Sequence, residues 1–168
     1  MAFNLFKRLC RHHIALPGAV RRHFSKAAML RIEQAIAKSE TAHLGEIRFA
    51  VELNLPLLDI LRKKSAQQRA VEVFSQLRVW DTEQNNGVLI YLLLADHDFE
   101  ILADRGVHQH VGHHGWQRIC HEMEALFQQG QFEVGVLHGI TQLGALLAQH
   151  YPATGKNDDE LPNAPVII

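Results

Sequence analysis

The stretch from Asn85 to Gly106 restricts the possible folds more than any other part of the chain. Val88 to Ala95 is an unbroken apolar run rich in β-branched and aromatic residues, bounded by Asn85-Asn86-Gly87 before and Asp96-His97-Asp98 after. A run this short cannot cross a membrane; it is the pattern of a strand buried on both faces. Phe99 to Ala103 is a second short apolar run. The three residues between them allow a hairpin but no crossover helix, so the two strands are expected to be antiparallel neighbours. Folding about His97 brings Asn85 and Asn86 back toward the segment Asp104 to His110. Polar groups should therefore gather at one mouth, away from the tip.

The flanking sequence supplies the other layers. Ser25 is an expected N-cap for a helix from about Lys26 to Thr41, with Met29, Ile32, Ala35 and Ile36 inward. From Glu46 the chain alternates: Ile47, Phe49, Val51 and Leu53 face one way, Glu46, Arg48, Ala50 and Glu52 the other. That alternation predicts a strand with one packed and one wetter face, toward an edge of the sheet. A long helix is expected from about Leu57 to Leu77, with Leu58, Leu61, Ala70, Val73, Phe74 and Leu77 as its core stripe. The resulting strand-helix-strand unit is long enough for a right-handed parallel crossover to Val88. After the hairpin, H-Q-H-V-G-H-H-G reads as a loop, Trp116 to Phe127 as a helix ended by Gly130, and Phe132 to His150 as the last helix. Val166, Ile167 and Ile168 are expected to dock as an extended segment. The fold class is α/β: a small mixed sheet with one parallel crossover and one antiparallel hairpin, helices on both faces, in three layers. The chain divides into an N-terminal arm at 1–25, an α/β domain at 26–151 and a tail at 152–168.

At 168 residues with 47% hydrophobic content, the chain fits one domain with a sizeable core. A formal net charge of −1 gives no global case for nucleic acid. Cys10 and Cys120 form no C-x-x-C pair, so free thiols in a reducing compartment are expected. No stretch reaches the ~18 apolar residues of a spanning helix. Lys7, Arg8 and Arg11 interrupt the start, which lacks the pattern of a signal peptide, so a cytoplasmic location is expected. Residues 1–32 carry seven Lys and Arg and no acidic residue. Phe3, Leu5, Phe6, Leu9, Cys10 and Ile14 recur among them at near-helical spacing. Two readings follow. Lys7, Arg8, Arg11, Arg21 and Arg22 lie against anionic lipid at the inner membrane surface, or the helix packs on the domain.

Three groups of side chains could carry chemistry. His108, His110, His113 and His114 could bind zinc, copper or nickel through neutral imidazoles, with Asp104 adding a carboxylate; a solvated histidine-rich loop is the plain alternative. At the mouth, beside Arg105, the residues Asn85, Asn86, Glu83, Asp81 and Asp104 bring oxygen donors suited to calcium or magnesium. There the plain alternatives are an Asp104–Arg105 ion pair, and a turn in which Gly87 supplies a positive φ. Asp96-His97-Asp98, at the hairpin tip, reads as an exposed polar turn. No phosphate-binding loop, dinucleotide fingerprint, nucleophile elbow or H-E-x-x-H pair is present, so no nucleotide cofactor is expected.

The run Asn86 to Leu94, the short hairpin and Glu100-Ile101 followed by Gly106 resemble the TPM domain family, over roughly Ala28 to Tyr151. The segment Ile32 to Glu52, Ala103-Asp104-Arg105-Gly106 and the tail Glu160 to Val166 are similar to the family's short bacterial branch. The resemblance implies a TPM-like three-layer sandwich, and an association with membrane proteins in which LemA-type or other TPM-domain membrane proteins would be partners. It also implies divalent-cation binding and acid phosphatase-like activity. Asp104 and Arg105 would then be the catalytic candidates, and a calcium, magnesium or zinc ion the cofactor. Any such hydrolysis would be metal-assisted, because neither cysteine has the setting of a nucleophile. Where the family carries Asp before Asn-Gly, this chain has Asn85, which removes a charge. A non-enzymatic accessory domain ranks first, a metal-dependent phosphatase second and a histidine-based metal or pH sensor third.

Overall fold

A computed structural model describes residues 2–14, 18–153 and 159–168, without the side chains of 2–4, 14 and 112–114. The helices are α1 (Ala2–Ile14), α2 (Ala19–His23), α3 (Lys26–Glu40), α4 (Leu57–Leu61), α5 (Ala66–Gln76), α6 (Arg105–Gln128) and α7 (Phe132–His150). The strands are β1 (Glu46–Glu52), β2 (Gly87–Leu93), β3 (Asp98–Ala103) and β4 (Val166–Ile167), in the order β3-β2-β1-β4. β2 and β3 pair antiparallel from Val88↔Ala103 to Leu93↔Asp98, as the two apolar runs predict. β1 runs parallel to β2, and β4 parallel to β1.

Every residue of β2 is buried. Val88, Ile90 and Leu92 enter one core with Ile32 and Ile36 of α3, Ile119 and Met123 of α6, and Ile140 and Leu143 of α7. Leu89, Tyr91 and Leu93 enter a second core with Ile60 of α4 and Ala70 and Val73 of α5. Side chains alternate across a strand, so an apolar residue at every position requires a layer on each side.

Two expectations about the first half of the sheet are corrected. β1 is interior and buried along its whole length, including Glu46, Arg48 and Glu52. Its polar side was read as wet, but partners from other elements cover it. Arg69 of α5 donates to both oxygens of Glu52 at 2.8 and 3.1 Å, and the Tyr91 hydroxyl donates to Oε2 at 2.6 Å. The long helix from Leu57 is two. Lys63 adopts a left-handed φ of 57°, and Ser65 opens α5 with a reciprocal cap to Gln68. The break changes the register, so Leu58 and Leu61 are exposed rather than core.

The N-terminal arm is a helix packed on the domain. Leu5 and Leu9 pack against the α4–α5 core, while Val20 and Phe24 enter the other. The hairpin tip holds α1 in place. Arg8 lies 2.7 Å and Arg11 3.4 Å from the Asp96 carboxylate, and His12 Nε2 lies 3.1 Å away. His12 Nδ1 accepts from Leu55 N–H at 2.9 Å. Asp96 is therefore covered rather than part of an open turn. Burial pushes its carboxyl up, but the bonds from Arg8 and His12 outweigh that and hold it below the usual range.

A depressed folded-state pKa stabilises above the unfolded value of 3.8 and is lost as pH falls through the folded one. Facing Asp96 are Arg8, Arg11 and His12, with Asp98 beside it; the arginines stay charged. Acidification below about pH 4 is expected to loosen α1 first, read as protease cleavage within α1. Asp96→Asn should give the same loosening at neutral pH and remove its acid dependence.

Candidate functional site

The mouth of the hairpin forms as expected, and its geometry shows what each polar group does. Asp104 N–H continues the ladder to Gly87 O at 2.9 Å, and the residue then caps α6, Oδ1 accepting from Arg105 N–H at 2.7 Å. Asn85, at φ 52°, accepts from Gly106 N–H at 3.1 Å through its carbonyl. Asn86 is 1% exposed; its N–H donates to Thr82 Oγ1 at 3.0 Å and its Nδ2 to Leu44 O at 2.7 Å. Leu44 N–H in turn donates to Tyr151 O at 2.8 Å. The Tyr151 hydroxyl lies 3.2 Å from His110 Nδ1, and burial together with the Asp104 charge raises its pKa.

Two oxygens in this ring of groups stand out: Asn86 Oδ1 and Asp104 Oδ2 are both buried without a hydrogen-bond partner. A buried oxygen without a partner loses about 1–3 kcal/mol relative to a satisfied one, unless something outside the chain supplies the contact. Both oxygens suit a hard cation. The arrangement supplies few donors: Glu83 is exposed, its N–H held by Glu160 Oε2 at 2.8 Å, and Arg105, exposed on the first turn of α6, is itself a cation.

The histidine segment is not a loop. α6 begins at Arg105, so His108 and His110 sit on helix, two positions apart and on different faces. They cannot converge on one ion. His110 Nδ1 lies 2.7 Å from Gly106 O; a carbonyl only accepts, so that nitrogen carries the proton. The side chains of His113 and His114 lie outside the described residues. Asp104 followed by an apolar pattern is the helix-start signal, and the glycines hid it.

Glycine is needed at two of these positions for space. Gly87 does not have a positive φ, correcting the turn reading; a Cβ there would lie 2.0 Å from Val79 O. At Gly106 a Cβ would lie 2.6 Å from Asn85 O, 2.9 Å from Gln84 O and 2.9 Å from the Tyr151 hydroxyl. Neither cysteine is a nucleophile candidate: both are free and half-buried, and burial pushes the Cys120 thiol up.

A sheet with one parallel crossover, an antiparallel hairpin and a polar mouth before a long helix defines a TPM-type α/β domain. The family model for the TPM domain matches residues 22–146, and the chain belongs to that family. It is similar to the solution structure of the BA42 protein from the psychrophilic bacterium Bizionia argentinensis, at 30% identity and a TM-score of 0.78. That match covers 86% of this chain and 95% of the other. The N-terminal domain of a protein from P. gingivalis shares the fold at 16% identity and a TM-score of 0.63, covering 79% of this chain and 83% of that one. Among curated proteins none matches it.

Replacing Gly106 with Ala separates helix preference from space. Alanine favours a helix by about 1 kcal/mol, yet two of the atoms its Cβ would meet are backbone oxygens that cannot swing aside. The clash should prevail. Gly106→Ala is expected to lower stability by about 1–3 kcal/mol in urea unfolding.

Proposed function

We propose that this chain is a non-enzymatic accessory domain of the TPM family that works at an anionic membrane surface. The observation that carries the reading is the surface of α1 and α4. Phe6, Leu57, Leu58 and Leu61 are 64%, 61%, 65% and 49% exposed on two helices packed against each other. A groove of about 420 Å³, lined by Leu9, Cys10, Leu55, Leu57 and Ile60, runs between them. Arg62 is exposed just after α4, and Arg21 and Arg22 on α2; Arg11 is also exposed, though it reaches Asp96 at 3.4 Å. Arg8 is not part of this surface: it bonds Asp96 and Lys64 O. No helix among the described residues is long and apolar enough to cross a membrane. Contact would therefore be by side chains entering the headgroup region, with each nearby cation adding about 1 kcal/mol.

Sedimentation with vesicles tests this. The full chain should bind vesicles rich in phosphatidylglycerol and bind phosphatidylcholine vesicles far more weakly. Burying one such side chain is worth about 1.5–3 kcal/mol, so Phe6→Ser with Leu58→Ser should weaken binding by more than tenfold. Equal binding by the double variant removes this face from the reading.

The orphaned oxygens of Asn86 and Asp104 favour a second reading, a metal-assisted phosphatase. A cation held there would polarise a phosphoryl oxygen, and Arg105 on the first turn of α6 would meet the phosphate. Hydrolysis of p-nitrophenyl phosphate that requires magnesium, calcium or zinc and vanishes in Asp104→Ala supports it. Activity surviving that change ends it.

A further inference from the structure

The C-terminal tail closes over the start of β1, and four segments meet beneath it. Glu40, the last residue of α3, takes the Ile47 N–H through Oε1 at 2.9 Å. Glu46, the first residue of β1, takes the Leu161 N–H through Oε2 at 3.2 Å. Glu160 takes Glu83 N–H from the loop before β2. Asn163 donates to Asp159 Oδ2 at 3.1 Å. One ligand oxygen from each of Glu40, Glu46 and Asp159 lies within 4.8 Å of the other two.

The two glutamates are the unusual feature. Glu40 is 7% exposed and Glu46 fully buried; each has one oxygen on a backbone N–H, and the other, Oε2 and Oε1, is buried with no close hydrogen bond, the Asn163 side chain and the Glu160 N–H adding only weaker contacts to the two carboxylates. Arg48, two residues along the same strand, is also buried with Nε and Nη1 unpartnered. Burying a charged group unpaired costs several kcal/mol. Three carboxylates here, with Glu160 close enough to add its charge, outnumber the one guanidinium, an excess that a divalent cation would offset. All the donors are oxygens, which excludes the soft metals and favours calcium, magnesium or manganese. Oxygens within 4.8 Å of one another are close enough to share one such ion.

We infer that Glu40, Glu46 and Asp159 form a site for a hard divalent cation, which fastens the C-terminal tail to the sheet. The site shares no ligand with Asn86 and Asp104. Without a cation, burial pushes the Glu40 carboxyl up to about 8 and that of Glu46 to about 7, so protons are the competing occupant.

The test is calorimetric titration of the full chain with calcium chloride at pH 8, paired with hydrogen exchange at Leu161 and Ile168. One site per chain should appear, with exchange at Leu161 slowed tenfold or more. Asp104→Asn should keep it, which separates it from any ion at the hairpin mouth. Asp159 is exposed, so Asp159→Asn should fold, and it should weaken binding thirtyfold or more; Glu46→Gln should abolish binding if it folds. No calcium, magnesium or manganese binding in Asp104→Asn would overturn the proposal. So would undiminished affinity in Asp159→Asn, or tail protection that responds to pH and to no cation.

Discussion

Strand β2 has no face turned to water, and the rest of the structure follows from covering both of them. One side needs α3, α6 and α7, and the other α4 and α5. At about 1.5–3 kcal/mol per large apolar side chain, leaving either side open would cost an amount comparable to a domain's whole net stability. The hairpin to β3 and the parallel partner β1 satisfy its backbone groups. The polar mouth is where that ladder ends and Asp104 hands the chain to α6.

Polar groups inside such a sandwich are held by cross-layer bonds. Glu52 on β1 is held by Arg69 from the helical layer and by Tyr91 from the neighbouring strand, so one carboxylate fixes three elements. Its bonds raise the pKa of Arg69, and burial and Glu52 together raise that of Tyr91. Asp96 does the same for α1 at the hairpin tip. Such bonds specify how layers meet more than they add net stability, because burying the charges costs nearly as much as pairing them returns.

The sequence was legible where one signal decided the matter. The apolar run and its short tip determined the hairpin, Ser25 marked the start of α3, and Phe132 to His150 matched α7. It misled where a local pattern had a distant cause. Alternating charges on β1 looked solvated because Arg69 and Leu161, their partners, lie 17 and 115 positions away. Glycines around the histidines looked like a loop because the reason for Gly106, a neighbouring backbone, is invisible in one dimension. The Ser65–Gln68 cap was readable and would have split the long helix. The asparagines and Asp104 were legible as neighbours, but which of their oxygens lack partners was not. Glu40 and Glu46 gave no signal as a pair, since only folding brings the end of α3 against the start of β1.

β4 contributes two residues to the sheet, yet they lie along the outer side of β1 at Ala50 and Val51. Without them that flank would present open hydrogen-bonding groups on an apolar strand, the template on which a second molecule can add and begin an aggregate. The tail thus guards the protein against itself, and a chain shortened by its last few residues would keep its layers but lose that protection.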